Sequence, residues 1–486
     1  MIKSQKDILE KIKKLPRINF EDSFNFIKLM QKENSIKLCF PEINKESYDA
    51  KIHFENLDLK LECEFPLYSE IALGTSYRIE IVLEEKKYHI PKFFFSKQLS
   101  IELNQNNIKP IRKTLVGNIF NLSTTTNAKS DNYHRLIIPV NSNCDLHNYI
   151  HTLGFNDESY YYAVGKVDIK VSGISFFLYE KKYNDKKYLI IDTRSKIKFD
   201  EFEEYYFSIL LSLGFLSAKL YLDNGYFISS NNKNFNKIDD TTYQRFRDSI
   251  FSSFNPLQSR LILGLNKKGR PDIKELHLFD MNLFSNLCTK IKESKGFMSL
   301  IFLLLESNVS SLSIRPVGYS VVLEMLTNII AMENKGLKPI IKKSTSKEFS
   351  KELFQVLDKY KDQILKEGKP DSVTILQKKI GNINTPTNRD KLTKPFEIYG
   401  IDLLPDEEYA IDNRNNFLHG NEIKFQDILN TKDYFKHIHC ISLRLNFLVN
   451  RLILKYLGFE GEIINHVKLH ENIIGKVINE DVVRNV

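Results

Sequence analysis

The stretch Val167-Asp168-Ile169-Lys170-Val171 alternates apolar and charged side chains with a period of two residues. This period is typical of a β-strand that buries one face and exposes the other. The same alternation recurs between about residues 35 and 191, where Gly, Asn and Asp clusters separate the runs. Asp223-Asn224-Gly225 adds the signature of a tight hairpin turn between two further apolar runs. The sequence therefore predicts an antiparallel, β-rich domain over residues 35–280.

From about residue 279 the apolar side chains recur every three or four positions, which is the helical period. The clearest run is 432–457, where one face carries Ile438, Ile441, Leu445, Leu448 and Leu452. The candidate helices cover 281–294, 297–308, 316–333, 347–366, 372–381, 405–419 and 432–457. The fold class predicted is α+β and multidomain. It comprises an N-terminal helical segment (1–34), the β-rich domain (35–280), an all-α helical bundle (281–460) and a C-terminal tail (461–486).

Composition limits the class of protein. The chain has 486 residues, enough for two or three domains, and its hydrophobic content of 42% is that of a globular protein. No apolar run approaches 18 residues, and residues 1–20 lack the apolar core of a signal peptide. The five cysteines are scattered and odd in number, as in a reduced protein. We therefore expect a cytoplasmic protein with no membrane partner.

Positive charge is concentrated in one segment. The net charge is +9, and residues 335–395 hold 15 Lys or Arg against 7 Asp or Glu, a local excess of +8. A Lys-rich helix is often only a solvated face. Such an excess also suits the phosphate backbone of a nucleic acid, and the candidate RNA-binding residues are Lys342, Lys343, Lys378 and Lys379.

The segment 405–420 has the marks of one helix with a reactive end. Pro405 suits the first helical position, three acidic residues follow it, and Gly420 suits the cap after the last residue. Arg414 and His419 then fall in the last two turns, at an exposed helix end whose negative pole favours a protonated imidazole. A cation and a titratable imidazole suit an enzyme that handles a phosphodiester. In the alternative interpretation, Arg414 caps its own helix and His419 fills a surface groove.

Other groups of polar residues give weaker functional signals. Cys144, His147 and His151 have the spacing of half a zinc site, but no matching pair lies nearby. Neither a phosphate-binding glycine loop nor a Gly-x-Ser-x-Gly elbow is present in the sequence. ATP use and serine-hydrolase chemistry are therefore disfavoured, and we expect no cofactor and no metal.

The run Arg414-Asn415-Asn416-Phe417-Leu418-His419-Gly420 resembles the Arg-polar-x-His hallmark of a HEPN domain. With residues 376–383, 401–404 and Glu407, its layout is similar to the ApeA-like HEPN group of bacterial antiphage proteins. The resemblance covers about residues 290–460; for 1–280 it is one of layout only. It implies a large, strand-containing N-terminal domain followed by a helical HEPN domain.

This resemblance also implies an activity, that of a metal-independent ribonuclease acting as a dimer. His419 would exchange protons with the ribose 2′-hydroxyl or the leaving 5′-oxygen, and Arg414 would stabilise charge on the phosphate. Asn415 would orient the imidazole or the phosphate, with Asn416 beside it in a supporting position. Glu324, on an otherwise apolar helix, would pair with Arg414; alternatively it is an exposed surface Glu.

Three functional hypotheses follow. The first is an endoribonuclease toxin of antiphage abortive infection, which cleaves RNA, with tRNA as one candidate, to 2′,3′-cyclic phosphate ends. In it the N-terminal domain senses a phage-derived trigger or restrains the nuclease, and the chain forms a homodimer or a dimer of dimers. The second is a non-catalytic HEPN scaffold that binds RNA or protein. The third is a recognition module whose β edges capture a phage protein.

Overall fold

The structure is a computed structural model. The chain forms two compact units, Met1–Val309 and Ser310–Val486. The residues that it describes are 19–42, 44–67, 69–102, 112–124, 131–140, 145–156, 162–334, 340–419 and 430–486.

The first unit is built on a large antiparallel sheet, as the period of two predicts. Its strands along the chain are β1 (Asn34–Phe40), β2 (Asn44–Glu55), β3 (Asp58–Pro66), β4 (Ser76–Leu83), β5 (Lys86–Phe94), β6 (Lys97–Glu102), β7 (Arg112–Asn118), β8 (Asn121–Ser123), β9 (Tyr133–Val140), β10 (Leu153–Asn156), β11 (Tyr162–Val171), β12 (Ile174–Tyr183), β13 (Lys186–Thr193), β15 (Asn224–Ser230) and β16 (Asp240–Arg245). Their spatial order is β10-β11-β12-β13-β9-β15-β16-β8-β5-β4-β1-β2-β3-β7-β6. Short pairs outside this sheet join β14 (Lys219–Leu220) to β17 (Ile250–Phe251) and β18 (Arg260–Leu265) to β19 (Pro271–Glu275).

Alternation in the sequence becomes alternation of burial in the strands. Along β4 every second residue is buried, so that Ile79, Ile81 and Leu83 face the core while their neighbours contact solvent. Helix α1 (Glu21–Gln31) packs Phe24 and Met30 into the same core. Part of the predicted N-terminal helical segment is therefore helical; residues 1–18 lie outside the described residues.

A buried ion pair lies in the interior of the sheet. Arg135 on β9 donates to both carboxylate oxygens of Asp192 on β13, at 2.8 and 3.0 Å, and both side chains are almost fully buried. Tyr179 Oη donates to the same carboxylate at 2.5 Å. The guanidinium lies between the rings of Phe20 and Phe235, 4.6 and 4.1 Å from their centroids. The pair thus links three neighbouring strands to the segment that enters α1.

The Asp223-Asn224-Gly225 hairpin prediction is wrong. Neither Asn224 nor Gly225 has the positive φ that a two-residue hairpin turn requires; both begin β15, which pairs with β16 and β9. The Asp223 carboxylate instead accepts hydrogen bonds from the backbone and hydroxyl of Ser249. Gly225 is needed for space, because a Cβ there would lie 2.7 Å from the Phe246 ring.

The first unit extends beyond the sheet. Helix α2 (Phe199–Ser217) is almost wholly buried, and α3 (Met281–Glu293) and α4 (Lys295–Val309) pack against it. Side chains of α3 also accept hydrogen bonds from strand β11, as in the 3.2 Å contact from Lys170 N to Ser285 Oγ. The unit boundary therefore falls after Val309 and not after residue 280, because these two helices bury their apolar faces in the first unit.

The second unit is helical. Its helices are α5 (Arg315–Glu333), α6 (Lys343–Lys359), α7 (Lys361–Glu367), α8 (Ser372–Gly381), α9 (Asn388–Ile398), α10 (Pro405–His419), α11 (Thr431–Tyr456), α12 (His466–Leu469) and α13 (Glu471–Ile474). The long helix α11 packs against α5 and α10. Among the described residues, no helix is both long and apolar enough to cross a membrane.

Residues 461–486 are packed and do not form a separate tail. Strand β20 (Glu462–Ile464) pairs with β21 (Val483–Asn485). Arg484 then donates to the buried Glu407 of α10 at 2.5 Å, and Glu480 accepts a 2.7 Å hydrogen bond from Arg444 of α11. These contacts fasten the end of the chain to the two central helices of the unit.

Candidate functional site

Helix α10 has the bounds that the sequence predicts, Pro405 to His419. Its acidic first turn is specifically bound: Glu407 is fully buried, pairs with Arg484, and accepts a 2.9 Å hydrogen bond from Leu404 N. This contact satisfies a backbone donor just before the helix, where a negative charge also interacts well with the helix dipole. The start of α10 is therefore fixed in place.

Arg414 lies in the interior, where the sequence predicted an exposed helix end, so that expectation is wrong. The residue is 4% exposed because α10 packs against both α5 and α11. Its Nε atom is buried and has no hydrogen-bond partner among the described residues. Burial lowers the pKa of Arg414 below its ordinary value, and the nearby Glu324 carboxylate opposes that shift.

The predicted pairing of Glu324 with Arg414 is present. Glu324 comes from α5, its side chain is half-exposed, and its Oε2 atom lies 3.4 Å from Arg414 Nη1. At that distance the hydrogen bond is long, and a single oxygen contacts a group that has five N–H donors. Within the described part of the chain, the guanidinium is therefore held through Nη1, while Nε lacks a partner.

The amides of this helix divide into two sets. Asn416 Nδ2 donates to Asn413 Oδ1 at 3.1 Å, and Asn413 Nδ2 donates to the Tyr409 carbonyl at 3.0 Å. Asn416 thus belongs to a ladder along the Tyr409 face of the helix, and within the described residues no hydrogen bond joins it to Arg414. The side chains of Asn415 and His419 lie outside the described ones. The structure places their backbones in the last two turns of α10.

The four candidate RNA-binding lysines are brought to one end of a helical group. Lys342 and Lys343 begin α6, Lys378 and Lys379 lie in the last turn of α8, and all four are exposed. The Asn384 side chain joins the two regions, accepting from Ile341 N at 2.8 Å and donating to Ile341 O at 3.0 Å. The two lysine pairs, 35 residues apart in sequence, therefore share one surface.

A cluster that the sequence did not reveal lies in the first unit. Asp145, His147 and Glu180 bring their ligand-type atoms within 4.8 Å of one another. Lys187 Nζ lies 2.8 Å from Asp145 and supplies a positive charge there. Cys144, which the half-zinc spacing included, lies outside the described residues. Asp145 and His147 are close in sequence, whereas Glu180 comes from β12 and accepts a 3.2 Å hydrogen bond from Leu146 N, so sequence spacing gave no signal.

The second unit therefore contains a buried arginine with incomplete hydrogen bonding, in a helix whose last residue is a histidine. An exposed lysine surface lies elsewhere on the same unit. Comparisons found no significant match to this chain among protein-family models, curated proteins or solved structures. A functional assignment therefore depends on the chemistry of these residues.

Proposed function

We propose that the chain is a metal-independent endoribonuclease of the HEPN type, with Arg414 and His419 as its catalytic residues and Asn415 beside them. The observation that supports this most is the state of Arg414. Its guanidinium is buried, is contacted by one carboxylate oxygen at 3.4 Å, and keeps one N–H without a partner among the described residues.

An arginine in that state favours a phosphate ligand. A buried donor that lacks a partner costs about 1–3 kcal/mol, more when the group is charged, and a bound oxyanion removes that cost. A guanidinium fork matches two phosphate oxygens, and such charge-assisted contacts are about twice as strong as neutral ones. Because the charge on those oxygens rises during cleavage, a preoriented Arg414 would stabilise the transition state more than the bound substrate.

His419 would supply the proton transfers. In the proposed reaction the ribose 2′-oxygen attacks the adjacent phosphorus as its proton passes to an imidazole. The bond to the leaving 5′-oxygen breaks as that oxygen takes a proton, and a 2′,3′-cyclic phosphate remains. Both transfers suit a histidine, whose ordinary pKa is near 6.5. Asn415, four residues before His419, would orient the imidazole or the phosphate.

One Arg414–His419 pair supplies one imidazole, whereas the reaction needs a base and an acid. Two copies of α10 meeting across a two-fold axis would bring both groups to one phosphate, and a closed two-fold dimer is the commonest assembly. We therefore propose a homodimer or a dimer of dimers. The role proposed for the first unit, a separate compact body, is to sense a phage-derived trigger or restrain the nuclease in antiphage abortive infection.

A cleavage assay tests the proposal directly. Purified protein incubated with total RNA, and separately with tRNA, should produce fragments that end in 2′,3′-cyclic phosphate. The rate should be unchanged by excess EDTA, because arginine and histidine supply all of the proposed chemistry. Activity that disappears on chelation and returns with Mg²⁺ would contradict the mechanism, and complete absence of cleavage would favour the binding-only alternative.

That alternative, a non-catalytic module that binds RNA, has its own supporting observation in the shared lysine surface. Both hypotheses predict that charge reversal of Lys342, Lys343, Lys378 and Lys379 weakens RNA binding. Each lost phosphate contact should reduce the slope of log affinity against log salt by about 0.7 for single-stranded RNA. Four lost contacts should therefore flatten the slope by about 3, measured by fluorescence anisotropy from low to high salt.

Four exposed lysines of the first unit provide a matched control for net charge: Lys37, Lys51, Lys86 and Lys87. Charge reversal at these four lysines changes the net charge by the same amount. It should leave the slope of log affinity against log salt unchanged. Equal slopes for the two quadruple variants would show that the lysine surface of the second unit does not contact RNA.

A further inference from the structure

A pocket of about 390 Å³ lies within the second unit, between α10, α11 and the segment that follows α13. Its volume falls in the range of roughly 300–1,000 Å³ typical of small-molecule sites, and clefts between bundled helices are a common location for them. Its floor is formed by Cys440 and the buried Ile441 and Ile474. Arg414 is not among the described residues that line it.

Three basic side chains line the pocket: Lys436, Arg444 and Lys476. The lysines are held by weak partners, Asp433 at 3.3 Å and Asp406 at 3.1 Å, in pairs that are partly open to solvent. Exposed ion pairs contribute only about 0–1 kcal/mol, so a phosphate group can replace these carboxylates as the lysine partner. Asp406 and Asp433 line the same pocket, and an anion that binds the lysines would displace them.

Arg444 forms a buried ion pair beside these lysines. It is 2% exposed, and Glu480 accepts hydrogen bonds from its Nη1 atom, at 2.7 Å, and from its Nη2 atom. Its Nη2 atom also lies 3.6 Å from Asp406, the carboxylate that Lys476 contacts. Because Glu480 binds both terminal nitrogens of Arg444, Lys436 and Lys476 are the cations of the pocket that can bind an anion.

The lining also contains two aromatic rings. The rings of Tyr409 and His437 meet edge to face with centroids 5.9 Å apart, and both residues line the pocket. Burial, followed by the charge of Lys476, lowers the pKa of His437 below its ordinary value. This shift favours the neutral form of the imidazole, and the half-exposed Tyr409 ring offers a face on which a planar heterocycle can stack.

We propose that this pocket binds a free nucleoside monophosphate, with its phosphate on Lys436 and Lys476 and its base against the Tyr409 ring. The combination of cationic side chains and an aromatic ring selects for a ligand that has both an anionic group and a ring. Gly475 suits this arrangement: its φ is +73°, and a Cβ there would lie 3.2 Å from the Lys436 ammonium. The proposal does not depend on ribonuclease activity.

Calorimetric titration of the full chain tests the proposal, using the four common nucleoside monophosphates, adenosine and inorganic phosphate as separate probes. At least one nucleotide should bind with one site per chain, about tenfold or more tightly than either fragment, since a factor of ten corresponds to about 1.4 kcal/mol. Lys476→Ala and Tyr409→Ala should each weaken that binding by about tenfold or more, through loss of a charge-assisted contact or of stacking.

Lys432→Ala is the control, because Lys432 is an exposed lysine of α11 that does not line the pocket. Its affinity for the nucleotide should equal that of the wild type. Lys476 and Tyr409 are themselves exposed, so both variants should keep the wild-type unfolding temperature. Absence of saturable binding by all four nucleotides overturns the proposal. So does phosphate binding as tight as the best nucleotide, or binding that both variants leave intact.

Discussion

Replacing Arg414 by alanine is expected to slow RNA cleavage by about 10²–10³-fold, the typical effect of removing one preoriented donor to a developing oxyanion. The side chain is buried and makes a single long contact with Glu324. The protein therefore holds the guanidinium in place while its hydrogen-bonding capacity is only partly used. The rate should be measured under single-turnover conditions with an end-labelled RNA, so that cleavage and not product release is observed.

Since Arg414 is buried, its truncation also leaves a cavity, and loss of activity alone would not distinguish chemistry from unfolding. Arg414→Lys addresses this: it keeps a positive charge and much of the volume but loses the planar fork. We expect this variant to remain folded and to cleave slowly. A folded lysine variant with the wild-type rate would contradict the role of the guanidinium.

Arg389, on the neighbouring helix α9, offers a matched control. It is an exposed arginine that pairs with Glu408 and Asp412 of α10, at 2.9 and 3.0 Å. Its replacement by alanine removes the same residue type and two contacts to α10, yet the rate should stay at the wild-type value. His419→Ala should by contrast lose about 10²–10⁴-fold, the range typical of general acid–base catalysis.

The sequence predicted the strand-rich and helical regions well, because the period of the apolar side chains depends only on residues close together in the chain. The β4 alternation and the apolar stripe of α11 each depend on residues only a few positions apart. The bounds of α8 and α10 were predicted to the residue. Helix α9 was missed because it contains Pro395, which usually interrupts a helix, although Thr387 and Asp390 form a capping box at its start.

Errors arose where distant packing decides the outcome. Asn224-Gly225 is a strong turn signal, yet β9 and β16 provide strand partners on both sides, and the segment extends into β15. Helices α3 and α4 have the same period as those of the second unit, so their packing in the first unit could not be inferred from period.

The candidate site shows the same division between local and distant information. The bounds of α10 and the pairing of Glu324 with Arg414 were predicted, because helix caps are local and an acidic residue on an apolar helix is conspicuous. The burial of Arg414 was not, since it requires α5 and α11 to enclose α10. The nucleotide pocket likewise combines three segments that no motif links.

The second large effect is expected in the first unit, where Asp192→Ala should cost about 3–5 kcal/mol of stability, the usual cost of removing one partner from a buried ion pair. The substitution leaves the fully buried Arg135 charge without its carboxylate and removes the acceptor of Tyr179 Oη. Hydrogen exchange of peptides from β9 and β13 measures this locally. Their exchange should accelerate by about 10²–10⁴-fold, because each 1.4 kcal/mol changes the opening equilibrium about tenfold.

Two comparisons test whether the uncompensated charge is the cause. Glu64→Ala breaks a pair with Arg112 whose two side chains are about half-exposed, and it should change stability by less than about 1 kcal/mol. The double replacement Asp192→Leu with Arg135→Met removes both charges and should be less damaging than Asp192→Ala alone, since apolar groups of similar volume often replace a buried pair at little cost. If the double variant is as unstable as the single one, its instability comes from loss of the contacts between the Arg135 guanidinium and the rings of Phe20 and Phe235. The ion pair would then stabilise the sheet interior mainly through packing. The segment that enters α1 would be held by the contacts of those two rings.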